Sequence, residues 1–516
     1  MNENVCAWRA SQETTRCSRC ARPVRWRADH PREVDGQRCV SVNRWWPEGP
    51  ICSGCVAKAV ETYGVCDGCG VDRLLPGVGP NAQRWCTDCG GGLGDFSCTR
   101  CAREGWRERA GVCGWCVLGE RVTELLDDGN GRVRPELEPL FERITTMARP
   151  RSGILWLSRP EPQGILRAIA RGEVPLTHEG VHTLAPKRSS IYIRDLLVAA
   201  GVLAPVDRFL FLFEQWWPAW LETIDDPAHQ KTLRHFLTWH FLRAFRALAA
   251  ERPLGFGPPQ SARRHLRMAA WLLVELDERQ LTLATCTQGD LDQIFAAGKR
   301  SLRDDLQPFL RWAMNTRRMP RLATPAHLGR PVALITQHQR IALIRRIYHD
   351  NQMALIDRVL ALFVLLYAQS LTRIHRLTVD DFHVDDDGQL LVRLGEPPAP
   401  IPPPFDRIVL EHIKERTNQT TATNPGSNWL FPGRRAGQPL ATKSLRLRMQ
   451  HLGIPNLTSR SRAIRELLRQ APPAVVAGML GYSPNRSESL AAEYGATWQR
   501  YPGIGRQPRR PPRIND

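Results

Sequence analysis

Twelve cysteines arranged as six Cys-x-x-Cys pairs, all before residue 117, constrain this chain more than any other feature. The pairs alternate: Cys17 and Cys20 with Cys52 and Cys55, Cys66 and Cys69 with Cys86 and Cys89, Cys98 and Cys101 with Cys113 and Cys116. Two cysteines so close are badly placed to bridge distant segments but well placed to clasp one metal ion. Zinc takes four thiolates in a tetrahedron at about 2.3 Å, so three sets of four predict three structural zinc ions. Each second pair follows a short turn signal, Gly49-Pro50, Gln83-Arg84 or Gly111-Val112. The pattern predicts three zinc ribbons over 1–118, each with too little core to fold without its ion. Four sulfurs leave no open ligand position, so the expected role of the metal is a staple. Cys6 and Cys39, with His30 nearby, read as unpaired thiols rather than a fourth site.

An extracellular disulfide framework is the competing explanation of fifteen cysteines. No basic, apolar, small-residue signal opens the chain, which argues against secretion. The longest apolar run, Val359 to Ala368, is about half of what spans a bilayer. The expectation is a cytoplasmic zinc protein with no membrane partner.

Charge points to a polyanion. Lys and Arg total 71 against 52 Asp and Glu, a formal charge of +19, which favours nucleic acid as a partner. The ribbons contribute little, with sixteen basic and thirteen acidic residues up to Leu118; contact with protein, or a modest contribution to DNA binding, suits them. From Trp429 to Asp516 fifteen basic residues face four acidic ones, a net charge of +11. A solvated surface normally mixes both signs, so this bias predicts phosphate contact.

Three further regions follow the ribbons. Residues 119–206 read as a helical linker domain, with apolar residues at three- and four-residue intervals in Val122–Leu126, Leu137–Met147 and Ile191–Leu203. Residues 207–324 are again helical, with Thr287 and Asp290 giving an N-cap signal. The Trp216-Trp217 and Trp220 cluster could stack bases, but at helical spacing it reads as core. Residues 326–501 begin with helices, change period at the short strand Gln389–Leu394, and return to helix from Phe405. Residues 502–516 read as a basic disordered tail. The fold class expected is therefore mainly α with small β elements: a zinc-ribbon array, two helical domains and a mixed α/β C-terminal domain.

The order of landmarks from Asp207 to Tyr501 resembles tyrosine recombinases of the Xer and phage-integrase type. Leu281-Thr282, Gly289-Asp290-Leu291 and Leu306-x-x-Phe309-Leu310-Arg311-Trp312-Ala313 are similar to a core-binding, DNA-clamping domain. Leu365-Leu366-Tyr367-Ala368 through Leu377-Thr378-Val379-Asp380-Asp381-Phe382, then Trp429-Leu430-Phe431-Pro432-Gly433, then Leu480-Gly481-Tyr482, are similar to landmarks of the catalytic domain. With its ribbons included, the chain is similar to a group of actinobacterial recombinase-like proteins. The resemblance implies double-stranded DNA as partner, a homo-oligomer assembled on it, and phosphotyrosyl transfer in DNA recombination and integration. A tyrosine attacks a phosphodiester, two arginines neutralise the nonbridging oxygens, a hairpin lysine serves the leaving oxygen, and two further positions orient and shuttle protons.

Carried onto this chain, the first arginine falls at Thr372 or Arg373, and Arg373 is the candidate. The second is Arg460, with Arg462 as the near alternative. The histidine three residues before Arg460 is replaced by Leu457, and the later histidine by Tyr482. The hairpin lysine is replaced within Gly395-Glu396-Pro397-Pro398, leaving Arg393 as the nearby cation. The nucleophile position holds Ala491, and the tyrosines at hand are Tyr494 and Tyr501. The catalytic candidates are thus Arg373, Arg460, Tyr482 and Tyr501. Arg393, Lys443, Arg446, Arg448 and Arg462 are the DNA-contact candidates. A catalytically degenerate DNA-binding transcriptional regulator, recruiting a protein partner through its ribbons, is the alternative function, and an interaction scaffold the third.

Overall fold

The protein is described here by a computed structural model covering residues 16–25, 32–34, 36–297, 302–324 and 334–493. It divides into two compact units, Met1–Leu203 with Leu334–Asp516, and Ala204–Ala333. Most regular structure is helical, and the sheets have two or three short strands each.

In the first unit the cysteine-rich region repeats one local design three times. Each first pair lies in a knuckle closed by a backbone bond between residues four apart: Ala21 N to Cys17 O at 2.9 Å, Gly70 N to Cys66 O at 2.8 Å, Ala102 N to Cys98 O at 3.0 Å. The closing residue takes a left-handed conformation in every case, at φ 55° for Ala21, 72° for Gly70 and 57° for Ala102. Only glycine adopts that region without strain. Each second pair opens a helix, with Cys52, Cys86 and Cys113 as the N-caps of Ser53–Ala59, Thr87–Gly90 and Gly114–Leu125.

The helix Gly114–Leu125 runs on from the third knuckle into the helical region. Its Leu118, Val122 and Leu125 join Leu140, Ile144, Ile165, Ile169, Ile193 and Leu197 in one core, which also contains Ala422 and Ala436 from far along the chain. Arg143 donates to the carbonyls of Ala422 and Thr423 at 2.7 and 3.3 Å, and Arg149 N to Thr420 O at 3.0 Å. These contacts join residues up to 203 and the C-terminal residues into one body.

The C-terminal part is organised around the helix Leu355–Leu365. Every residue from Arg358 to Leu365 is buried, as expected of a helix apolar on all sides. Arg340 donates to the Leu365 carbonyl at 2.7 Å, satisfying an otherwise unpaired group at the helix end. Beside it lies an antiparallel sheet, Phe382–Val384 with Leu390–Val392, then Ala399–Pro400. Helices Phe405–Lys414, Thr442–His451, Asn456–Gln470, Pro473–Leu480 and Pro484–Glu493 complete it.

The second unit has its own core, gathered from Phe213, Phe236, Leu266, Leu273, Leu306, Phe309 and Leu310. Asp207 caps the helix Arg208–Glu222 by accepting from Phe209 N and Leu210 N. A π-helical turn, Leu237–Leu242, joins Pro227–Phe236 to Arg243–Glu251. Trp216, Trp217 and Trp220 pack against the core yet stay half-buried; Trp216 stacks on Trp220 at 5.2 Å, and Arg263 sits 4.7 Å from the Trp216 ring centre.

Candidate functional site

The twelve paired cysteines come together as three groups of four: Cys17, Cys20, Cys52 and Cys55; Cys66, Cys69, Cys86 and Cys89; Cys98, Cys101, Cys113 and Cys116. Within each, all four Sγ atoms lie within 4.8 Å of one another. Pairs across the knuckles stand at 3.8 Å for Cys20–Cys52, 3.8 Å for Cys69–Cys86, and 3.7 Å for Cys101–Cys113. A tetrahedron with metal–sulfur bonds of about 2.3 Å has edges of about 3.8 Å, whereas a disulfide needs about 2.05 Å. The donor set therefore fits a divalent metal ion, with all four positions filled by protein.

The backbone supports thiolates at these sites. Cys52 N, Cys86 N and Cys113 N donate to the sulfurs of Cys17, Cys66 and Cys98 at 3.4, 3.2 and 3.2 Å. Burial opposes ionisation of Cys66, but backbone donors from Cys86, Gly68 and Cys69 hold its pKa down to about 6. Cys98 is likewise held at about 6, against burial, by Cys113, Arg100 and Cys101 N–H groups. Cys89 is pushed up to about 12, first by Cys86 and then by burial, and Cys116 to about 12 by burial and its neighbouring thiols. Adjacent sulfurs resist sharing four negative charges, and a bound dication removes that resistance. Of the remaining cysteines, Cys39 is half-buried and Cys286 buried; Cys6 and His30 lie outside the described residues. In a further group, Asp226 caps a helix by accepting from Ala228 N and His229 N, and His229 Nε2 lies 3.0 Å from Asp277 of the helix Gly257–Glu278.

The second cluster lies in the C-terminal part, where Arg373, Arg460 and Tyr482 meet. Ala368, in a left-handed conformation at φ 56°, turns the chain at the end of the central helix. Its carbonyl accepts from Arg460 Nε at 2.8 Å and from the Tyr482 hydroxyl. Arg460 Nε also approaches the Tyr482 oxygen at 3.3 Å, and its guanidinium carbon lies 5.6 Å from the Tyr482 ring centre. Arg373 donates to the carbonyls of Leu480 at 2.6 Å, Gly481 at 3.1 Å and Leu394 at 2.6 Å. Burial lowers the Arg373 pKa, Tyr482 acts against that and Arg460 with it.

The other candidates are dispersed. Arg393, Lys443 and Arg446 are exposed. Arg448 pairs with Asp357 at 2.9 Å and Arg462 with Glu466 at 2.7 Å. Leu457 is exposed at the start of the helix that carries Arg460, and Ala491 is buried. Tyr494 and Tyr501 lie outside the described residues.

Two residues beside this cluster escape motif reading. Gln369, fully buried, donates to the carbonyls of Tyr367 and Leu480 at 3.2 Å each, while its Oε1 has no hydrogen-bond partner among the described residues. His375 is held neutral: burial, then Arg376, pushes its pKa down to about 4. A polar residue directly after a ten-residue apolar run is the one signal that could have singled out Gln369.

No family model matches the chain, and no curated protein does. Several solved structures are similar to it. The crystal structure of XerA recombinase aligns over 52% of this chain and 99% of its own length, at 12% identity and a TM-score of 0.25. Among the described residues no helix is long and apolar enough to cross a membrane.

Proposed function

We propose that this is a zinc-ribbon DNA-binding protein of tyrosine-recombinase type, acting in DNA recombination or integration. The observation that carries the reading is the convergence of Arg373, Arg460 and Tyr482, three positions set about 90 and 20 residues apart in the chain, on Ala368 and the end of the helix Pro473–Leu480. Arg460 is anchored through Nε, and its two terminal nitrogens have no hydrogen-bond partner among the described residues. A guanidinium fixed in this way can take two phosphate oxygens in bidentate fashion. In this reading Arg460 and Arg373 neutralise charge on the scissile phosphate, and Tyr482 relays a proton. Tyr501 or Tyr494 attacks, forming a phosphotyrosyl bond as the 5′ oxygen leaves with a proton. Exposed Arg393, Lys443 and Arg446 contact flanking phosphates, and the three tetracysteine groups hold zinc.

A second reading has its own support. All three bonds of Arg373 go to backbone carbonyls, Leu457 replaces one proton-shuttling group, and no lysine follows the strand Leu390–Val392 before Pro400. A DNA-binding regulator without strand cleavage fits those features.

The test is to incubate the full chain with sheared DNA of its own host, sequence the retained fragments, and offer the enriched site as a nicked duplex. A protein–DNA adduct that survives denaturant, vanishes in Tyr501→Phe or Tyr494→Phe, and falls steeply in Arg460→Ala supports the recombinase. Retention without an adduct leaves the regulator. Absence of salt-sensitive retention overturns both.

A further inference from the structure

A cavity of about 250 Å³ lies where the helices Pro150–Leu157 and Lys187–Ala199 face residues 418–434 of the C-terminal part. One wall is apolar and aromatic: Trp156 and Tyr192 meet edge to face at 5.5 Å and 66°, flanked by Met147 and Leu196. The opposite wall is polar, with Thr421, Thr423 and Arg434. Among the described residues no carboxylate lines it. We propose that this cavity is a binding site for a small planar aromatic anion, one ring bearing one carboxylate or phosphate.

Three observations converge on that chemistry. Arg434 is exposed at the cavity and makes no hydrogen bond or ion pair among the described residues, so a full positive charge is on offer to a ligand. The Thr421 and Thr423 hydroxyls bond each other at 2.8 Å, which uses one of their two protons and leaves one for an anionic oxygen. The half-buried Tyr192 has no hydrogen-bond partner for its hydroxyl among the described residues, and burial pushes its pKa up to about 12, so it stays a neutral donor. Edge-to-face aromatic walls favour a flat ring over an aliphatic chain. The volume lies just below the range of about 300–1,000 Å³ that suits drug-sized ligands, which limits the occupant to one ring and its anionic group.

The site is also built in advance. Arg143 holds the Ala422 and Thr423 carbonyls, Arg149 N holds Thr420 O at 3.0 Å, and Asn418, left-handed at φ 65°, donates to Pro432 O at 2.9 Å. The polar wall is thereby fixed before any ligand arrives, and little ordering remains to oppose binding. The residues involved are separate from the Arg373 cluster, so the site stands whether or not the chain cleaves DNA.

The shared chemistry has two sources, an aromatic carboxylate or an aryl phosphate. The experiment uses the full-length zinc-loaded protein, with benzoate and phenyl phosphate as separate probes, in saturation-transfer NMR and calorimetry. We expect ring protons of at least one probe to receive saturation, with a submillimolar Kd weakened about tenfold or more in Arg434→Gln. Tyr192→Phe weakens it as well, and Arg171→Gln, an exposed arginine elsewhere, leaves it unchanged. A response to benzoate alone assigns the carboxylate, and to phenyl phosphate alone the aryl phosphate. No transfer to either probe at millimolar concentration, from protein whose melting profile is intact, overturns the proposal. So does binding that is indifferent to Arg434→Gln and Tyr192→Phe.

Discussion

Gly395 is where the C-terminal part is least tolerant of one added carbon. It follows the strand Leu390–Val392, and the chain there approaches the C-terminus of the helix Pro473–Leu480 so closely that Glu396 N donates to Gly478 O at 3.0 Å. A Cβ at 395 would sit less than 3.0 Å from Gly478 O and 2.5 Å from Gly481 N. Both are backbone atoms with no rotamer to escape into. Gly395→Ala must therefore push the hairpin off the helix end. Overpacking of this kind costs about 1–3 kcal/mol, and loss of the Glu396 bond about 1 kcal/mol more. The unit holds roughly 390 residues, so at about 1.2 °C per kcal/mol melting should fall by about 2–5 °C. Gly164→Ala is the control: it lies inside the helix Pro160–Ala170, its Cβ would meet nothing within 4 Å, and a helical alanine should add about 0.5–1 kcal/mol. Circular dichroism melts of parent and both variants in the same zinc-containing buffer decide it. Gly395→Ala melting within about 1 °C of the parent would refute the close approach.

Elemental analysis should return three zinc ions per chain, and two for Cys69→Ser, whose middle ribbon then unfolds while DNA retention by the C-terminal part persists; fewer than two in the parent contradicts the tetrathiolate assignment. Ala102→Gly relieves a left-handed alanine at φ 57°, worth about 1 kcal/mol, and should slow metal release from the third ribbon to a chelator. Burial holds His412 down to about 4 against 6.5 unfolded, with the Leu430 carbonyl acting the other way. The unfolded chain then takes up a proton below pH 6.5 that the folded chain refuses until about pH 4, so stability falls as pH drops through that window. Urea midpoints at pH 7.5 and 5 should differ less in His412→Gln than in the parent.

The three tetracysteine groups were legible because a metal ligand set is a local pattern: the six pairs and their alternation carry the grouping of all twelve sulfurs. Helices with regular apolar spacing were legible too, such as Arg208–Glu222 and Leu302–Asn315. What escaped depends on meetings between distant residues. Nothing in the alanines at 21 and 102 marks a left-handed residue; the conformation follows from the ligand geometry, and only Gly70 advertises it. The Arg373 bonds end on carbonyls of Leu394, Leu480 and Gly481, and a carbonyl has no sequence signature. Arg448, a phosphate-contact candidate, also pairs with Asp357, 91 residues away in the chain, a contact that no local pattern announces. The cavity beside Arg434 was invisible for the same reason, since its walls come from segments more than 200 residues apart.

The Arg143 bond to Ala422 spans 279 residues, and that separation has a consequence in time. At about 5–20 residues per second, a ribosome needs about 14–56 s to pass from one partner to the other. The ribbons and the helices that follow them leave the ribosome first, with the surface that Ala422 and Ala436 complete still open to water. The unit 204–333 emerges next with a core of its own and can close while the first body waits. The cell therefore meets this protein for many seconds as a folded insert between two halves of an unfinished body, and that interval is when its apolar helices are most exposed to aggregation and to chaperones.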